Sequence, residues 1–186
     1  MSMPHSPLAA IVRARRTIHA FEPRVPPLAL VEEALALACW APNHHRTEPW
    51  RFTVLGPDTA RRVSELNAQL VQLKNGAEAA AAKLKRWLEM PGWLVVTCQR
   101  SDDAQRERED YAATCCVLQN LGLLLWEAGI GMKWTTGKVT RDPRFLAMVG
   151  AEATQESCVG LVWYGYPAEV PAQVRRPLAE LLRVLP

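Results

Sequence analysis

No acidic or basic side chain interrupts the run from Tyr111 to Trp126, which reads Tyr-Ala-Ala-Thr-Cys-Cys-Val-Leu-Gln-Asn-Leu-Gly-Leu-Leu-Leu-Trp. Charged residues lead into it from Glu107, and Gly129-Ile130-Gly131 follows it, so Glu107 to Ala128 reads as one long helix closed by glycine. A helix that is apolar on nearly every face has no wet side. It belongs in the middle of a domain or in a seam between subunits. The run is shorter than a bilayer span and carries Gln119 and Asn120, which argues against a membrane segment.

The remaining elements are arranged around that helix. Leu8 to Arg16 reads as a short helix, and Pro26-Pro27 open a second whose stripe is Leu30, Val31, Ala34, Leu35 and Ala38. Arg51 to Leu55, Trp93 to Cys98 and Cys158 to Tyr164 read as strands, with Lys133 to Thr136 as a short fourth. Thr59 to Leu73, Ala77 to Met90 and Asp142 to Val149 read as helices, and Ala77 to Met90 has an exposed Lys83, Lys85, Arg86 side. A last helix is expected over Val174 to Leu185. Helices dominate and strands are few, so the fold class is α+β, with a small central sheet between helices.

At 186 residues and 49% hydrophobic, the chain suits one domain over 1–186 with a sizeable core. Lys and Arg number 22 against 19 acids, a net charge of +3, too weak a field for a nucleic-acid or anionic-membrane binder. Met1 to Leu8 lacks a basic-then-apolar leader, which points to the cytoplasm. Cys39, Cys98, Cys115, Cys116 and Cys158 are odd in number and form no Cys-x-x-Cys pair, so they read as buried small hydrophobes. His44-His45 have no third ligand at a metal-binding spacing, and no metal is expected.

Three segments carry groups that suit chemistry. Arg15-Arg16-Thr17-Ile18-His19-Ala20-Phe21 offers two guanidiniums, a hydroxyl and an imidazole, which fit an oxyanion or phosphate. The same residues equally fit a solvated basic helix end facing the helix dipole. Ala41-Pro42-Asn43-His44-His45-Arg46-Thr47-Glu48-Pro49-Trp50-Arg51-Phe52 is a polar loop pinned by two prolines, either a binding loop or a plain helix-to-strand connection. Gly129-Ile130-Gly131-Met132-Lys133-Trp134-Thr135-Thr136-Gly137 permits close backbone approach and offers a flat indole, but it is not a dinucleotide fingerprint.

The order of these segments is more specific than any one of them. Arg-Arg-Thr-x-x-x-Phe at the start, the Ala-Pro loop leading to Trp50-x-Phe52, Asn120-Leu121 to Gly131, and Gly160-Leu161-Val162-Trp163-Tyr164-Gly165-Tyr166-Pro167 with Arg175-Arg176-Pro177-Leu178 recur in one family. The chain resembles the nitroreductase superfamily of FMN-dependent NAD(P)H oxidoreductases, its small single-domain branch most closely, from about Ile11 to Leu182.

The resemblance implies a homodimer with FMN at the interface, NAD(P)H as electron donor, and a nitroaromatic, quinone or similar acceptor. It implies no nucleophile or general base, because the cofactor carries the hard chemistry. Arg15, Arg16 and Thr17 are then expected to hold the FMN phosphate and ribityl chain, and Arg175 to add a further cation from the tail. His19 is expected at the pyrimidine edge, His44 against the cofactor, and Trp40 as a contact from the partner subunit. Trp134, Thr135 and Thr136 are expected along the flavin ring. A dehalogenating or flavin-degrading enzyme, or a flavin-bound sensor, stays open on the same scaffold. Glu48 and Arg46 depart from the residues usual in that loop; Glu48 either faces the flavin or pairs with Arg46 or Arg51.

Overall fold

The computed structural model describes residues 6–186. Ser6 caps the first helix, α1 (Pro7–Ala14), accepting from the Ala9 amide at 3.1 Å, and Pro7 at its start suits a position with no helical N–H partner. α1 stops two residues earlier than expected: Arg15 is already extended, at φ −54° and ψ 133°. In chain order there follow α2 (Leu28–Ala38), β1 (Trp50–Val54), α3 (Pro57–Asn75), α4 (Ala77–Leu88) and β2 (Gly92–Gln99). The second half holds α5 (Ala104–Glu127), β3 (Gly131–Thr135), α6 (Pro143–Met148) and β4 (Glu156–Gly165).

Trp93 to Cys98 is apolar at almost every position because β2 is covered on both faces. The sheet order is β1-β2-β4-β3, antiparallel throughout. One face packs Leu94, Val96, Met132, Val162 and Tyr164 against α2 and α5, which contribute Val31, Leu35, Val117, Leu118, Leu121 and Leu125. The other packs Val95, Leu161 and Trp163 against Val63, Leu66 and Trp87 of α3 and α4, and against Phe145 of α6. Each such side chain contributes about 1.5–3 kcal/mol on burial. Trp87, Trp93 and Trp163 meet edge to face, with centroids 4.9–5.7 Å apart, an arrangement their ring quadrupoles favour.

α5 begins earlier than Glu107 because Asp103 caps it, accepting from the Gln105 and Arg106 amides at 2.8 and 3.2 Å. Its apolar character is met as expected: Val117, Leu118, Leu121 and Leu125 are fully buried, while Leu123 and Leu124 stay partly open. No helix among the described residues is long and apolar enough to cross a membrane. All five cysteines are free.

The tail overturns one expectation. Val174 to Leu185 is not a helix; it runs extended apart from a single tight turn at Leu178–Glu180. Pro171 and Pro177 break the ladder, and the segment has no surface against which to bury an apolar stripe. Val174, Leu178, Leu181, Leu182, Val184 and Leu185 are all exposed.

Candidate functional site

The chain leaves α1 along the free edge of β3. Ile18 donates its amide to the Met132 carbonyl at 3.1 Å, Glu22 to Tyr166 at 2.9 Å, and Ala168 to Ala20 at 3.0 Å. Ile18 is fully buried over Gly131, where an added Cβ would lie 2.3 Å from Ile18 Cγ1. That close approach fixes the register of Arg15 to His19 against β3 and α5.

Arg15, Arg16 and Arg175 come together in the structure. They line a cleft of about 490 Å³ with Val12, Arg13, Gln119 and Gln173, and no carboxylate lines it. Burial, then Arg175, then Arg16 hold the Arg15 guanidinium below its ordinary pKa. Like charges packed without a counter-ion favour an incoming anion. Arg16 also follows the alternative reading in part: its Nη1 donates to the carbonyls of Arg13 and Arg15, at 2.6 and 2.9 Å, as a cation at a helix C-terminus does. Arg13, Gln119 and Gln173 were missed. Gln119, one of two adjacent amides in the charge-free run, was the visible signal.

Thr17 is exposed on the β3 edge, and His19 sits beyond it. Lys133 stands beside His19, with Nζ 3.3 Å from Nδ1, and Arg86 of α4 reaches the His19 carbonyl at 3.5 Å. The sequence reading gave Lys133 only to a strand. Burial, Lys133 and Arg86 push the His19 pKa down from its usual value.

Trp134 and Thr135 lie on opposite faces of β3, with Thr136 exposed just past its end. Trp134 donates its indole N–H to the Val159 carbonyl at 2.9 Å. An added Cβ at Gly160 would lie 2.3 Å from that nitrogen.

His44 stands apart from the arginine cleft within one chain. His44 Nδ1 lies 2.7 Å from Glu109 Oε2 on α5, and its ring stacks on His45 with centroids 3.9 Å apart. The His44 hydrogen bond, then that of Gln105, pulls the Glu109 carboxyl below its ordinary range. Glu109 and Gln119 are ten positions apart on one helix, about 15 Å at the helical rise. Thr47 donates to the buried carboxylate of Asp110, and Asn43 ties both ends of the loop, to Thr47 Oγ1 and to the Glu48 amide, each at 2.9 Å. His45, Arg46 and Glu48 all take positive φ, 57°, 52° and 42°. Glu48 forms no ion pair with Arg46 or Arg51 among the described residues; Arg51 instead donates to the Glu48 and Trp50 carbonyls.

Trp40 is 87% exposed, which is extreme for an indole. It borders an apolar hollow of about 410 Å³ with Leu8, Leu37, Asn120, Leu123 and Leu124. No cluster of metal-ligating side chains occurs among the described residues.

The sequence profile of the nitroreductase family matches residues 12–166. The chain is 34% identical over 176 residues to YfhC of Bacillus subtilis (strain 168), named provisionally as an NAD(P)H nitroreductase; the match covers 92% of this chain and 90% of that protein. Its fold superposes with a TM-score of 0.85 on a nitroreductase-like family protein from Bacillus cereus, at 28% identity, over 100% of this chain and 99% of that one. It also superposes, with a TM-score of 0.77 at 22% identity and 98% coverage of both chains, on a Desulfovibrio desulfuricans protein solved in complex with FMN. The profile match over most of the chain and the 34% identity to YfhC fix the family: this chain belongs to the nitroreductases.

Proposed function

We propose that residues 1–186 act as one FMN-binding domain of a homodimeric oxidoreductase. It takes a hydride from NAD(P)H and reduces a nitroaromatic, quinone or similar small acceptor. The observation that carries this reading is the acid-free cleft of Arg13, Arg15, Arg16 and Arg175. A phosphate dianion suits that donor set: each charge-assisted hydrogen bond is worth roughly 1.5–3 kcal/mol. When bound, FMN supplies the two-electron chemistry, passing a hydride equivalent from the nicotinamide to the acceptor.

The protein's share is binding and orientation. Arg15, Arg16, Thr17 and Arg175 hold the phosphate and ribityl end. Trp134, Thr135 and Thr136 border the ring, and Gly160 lets the Trp134 indole seat on β4. His19 lies at the pyrimidine edge, where burial, then Lys133, then Arg86 hold its pKa below the usual value. His44, remote from the arginines of its own chain, and Trp40, exposed beside Leu8 and Leu37, serve the site of the other copy. Support for the dimer comes from the exposed apolar face of Leu8, Val12, Leu37 and Trp40, together with the unpartnered tail. Obligate interfaces are apolar in this way.

The test is direct. Heat-released cofactor identified by mass spectrometry as FMN, with NAD(P)H oxidation stimulated by a nitroaromatic, is the expected result. Recovery of FAD, or failure to bind added FMN, overturns the reading.

A further inference from the structure

Outside the arginine cleft, cations from α4 and β3 meet around His19. Arg86 donates to the His19 carbonyl, and Lys133 stands 3.3 Å from the His19 ring. Lys83 lies three residues before Arg86 on α4, so both occupy one side of that helix. Among the described residues, no carboxylate lies within ion-pair distance of Lys83, Arg86 or Lys133. Burial, then Arg86, then Lys83 hold the Lys133 ammonium below the ordinary lysine pKa, which is the signature of mutual repulsion in a half-buried place. His19 and Arg86 open onto a cleft of about 550 Å³ that Lys85, Phe21 and Met90 also line, with Glu89 as its one acid.

No ion pair among the described residues involves these three cations, and they come from elements far apart in sequence. The Lys133 ammonium lies 5.3 Å from the centroid of the Trp163 ring, so its stem is held by packing. Of the three cations, Arg86 lines that cleft, Lys133 meets it at His19 and Lys83 lies one turn along α4; a rigid fork backed by two ammonium groups suits a tetrahedral dianion better than a flat neutral ligand.

We propose that Lys83, Arg86 and Lys133 form a second anion site, distinct from the arginine cleft, for a phosphate monoester carried by a substrate. The word substrate rests on the oxidoreductase reading; the anion site itself does not. The phosphate has two available sources, the extra ribose phosphate that separates NADPH from NADH, or a phosphorylated acceptor.

Equilibrium dialysis against inorganic phosphate and adenosine 2′-monophosphate tests the site. It is run on FMN-loaded protein and on an FMN-free Arg15→Gln/Arg175→Gln background in which the first cleft is disabled. Both probes are expected to bind. A Lys83→Gln/Arg86→Gln change is expected to weaken them roughly tenfold, the loss of about one charge-assisted contact, with FMN affinity unaltered. The swap Lys83→Arg/Arg86→Lys, which keeps the charge, is expected to retain binding. Undiminished phosphate affinity in Lys83→Gln/Arg86→Gln overturns the site, as does absence of binding by the parent protein. If FMN fails to bind but the background variant still takes phosphate through Lys83 and Arg86, the oxidoreductase reading falls and the site stands. The sources separate on kcat/KM. A NADPH-to-NADH ratio that collapses toward one in Lys83→Gln/Arg86→Gln assigns the phosphate to the donor; an unchanged ratio with weakened phosphate binding assigns it to the acceptor.

Discussion

Lys133 Nζ lies 3.3 Å from His19 Nδ1; burial, then this ammonium, then Arg86 hold the His19 pKa below its usual value. The resemblance set His19 at the pyrimidine edge; the structure sets a lysine beside it. Lys133→Met is expected to move the His19 pKa up toward its ordinary value of about 6.5. The sign follows from linkage: a histidine whose folded pKa is depressed contributes stability above the unfolded pKa and loses it as pH falls through the folded one. The variant therefore loses less stability below pH ~6.5 than the parent. Following the histidine Cε1 proton by NMR across pH 4.5–8 checks this, and a His19 titration identical in both proteins contradicts it.

Arg15 and Arg175 reach one cleft from opposite ends of the sequence. Arg15→Ala and Arg175→Ala are each expected to weaken FMN binding by roughly tenfold or more, the worth of one charge-assisted hydrogen bond. Quenching of FMN fluorescence on titration measures it. Thermal stability of the FMN-free protein is expected to hold or rise in Arg175→Ala, because a repulsion on Arg15 is removed.

An indole left 87% exposed beside Leu8, Leu37, Leu123 and Leu124 sets up a prediction about assembly. Trp40→Glu is expected to shift the protein from dimer to monomer at micromolar concentration and to empty the cofactor site along with it. Light scattering with absorbance at the flavin band reports both. A dimer that keeps its flavin shows that the interface lies elsewhere.

Much of this architecture could be read from the chain. The unbroken run of β2 and the charge-free run of α5 were visible because each reflects burial along one contiguous segment. Arg15, Arg16 and Thr17 stood out for the same reason, as neighbours. Lys133 and Arg86 did not, because their meeting depends on how α4 and β3 are both brought to His19, and no local period encodes that. Val174 to Leu185 misled for a related reason: its leucines follow a helical spacing, yet nothing in this chain offers them a surface. Arg16 was legible as a type and ambiguous in role, and the structure gives it a helix-capping part in addition to the cleft.

Gly160 faces the Trp134 indole so closely that a methyl there would stand 2.3 Å from the ring nitrogen. Gly160→Ala is expected to displace Trp134 from the Val159 carbonyl and to destabilise the fold by about 1–3 kcal/mol through overpacking. Urea unfolding measures the loss, and a red shift of tryptophan emission reports the displaced ring. Unchanged emission and midpoint indicate that β3 moves away at little cost.

The loop between α2 and β1 holds three side-chain-bearing residues, His45, Arg46 and Glu48, where the backbone favours glycine. Left-handed geometry disfavours an L residue by about 1–2 kcal/mol, and glycine returns some of that through a looser unfolded chain. Directed evolution can exploit that imbalance. A selection for heat resistance alone is expected to accumulate glycine at 45, 46 and 48, whereas a selection for turnover retains whichever side chains the chemistry needs. The positions where the two lineages part would identify which members of this loop are kept for what they do, and which are only tolerated.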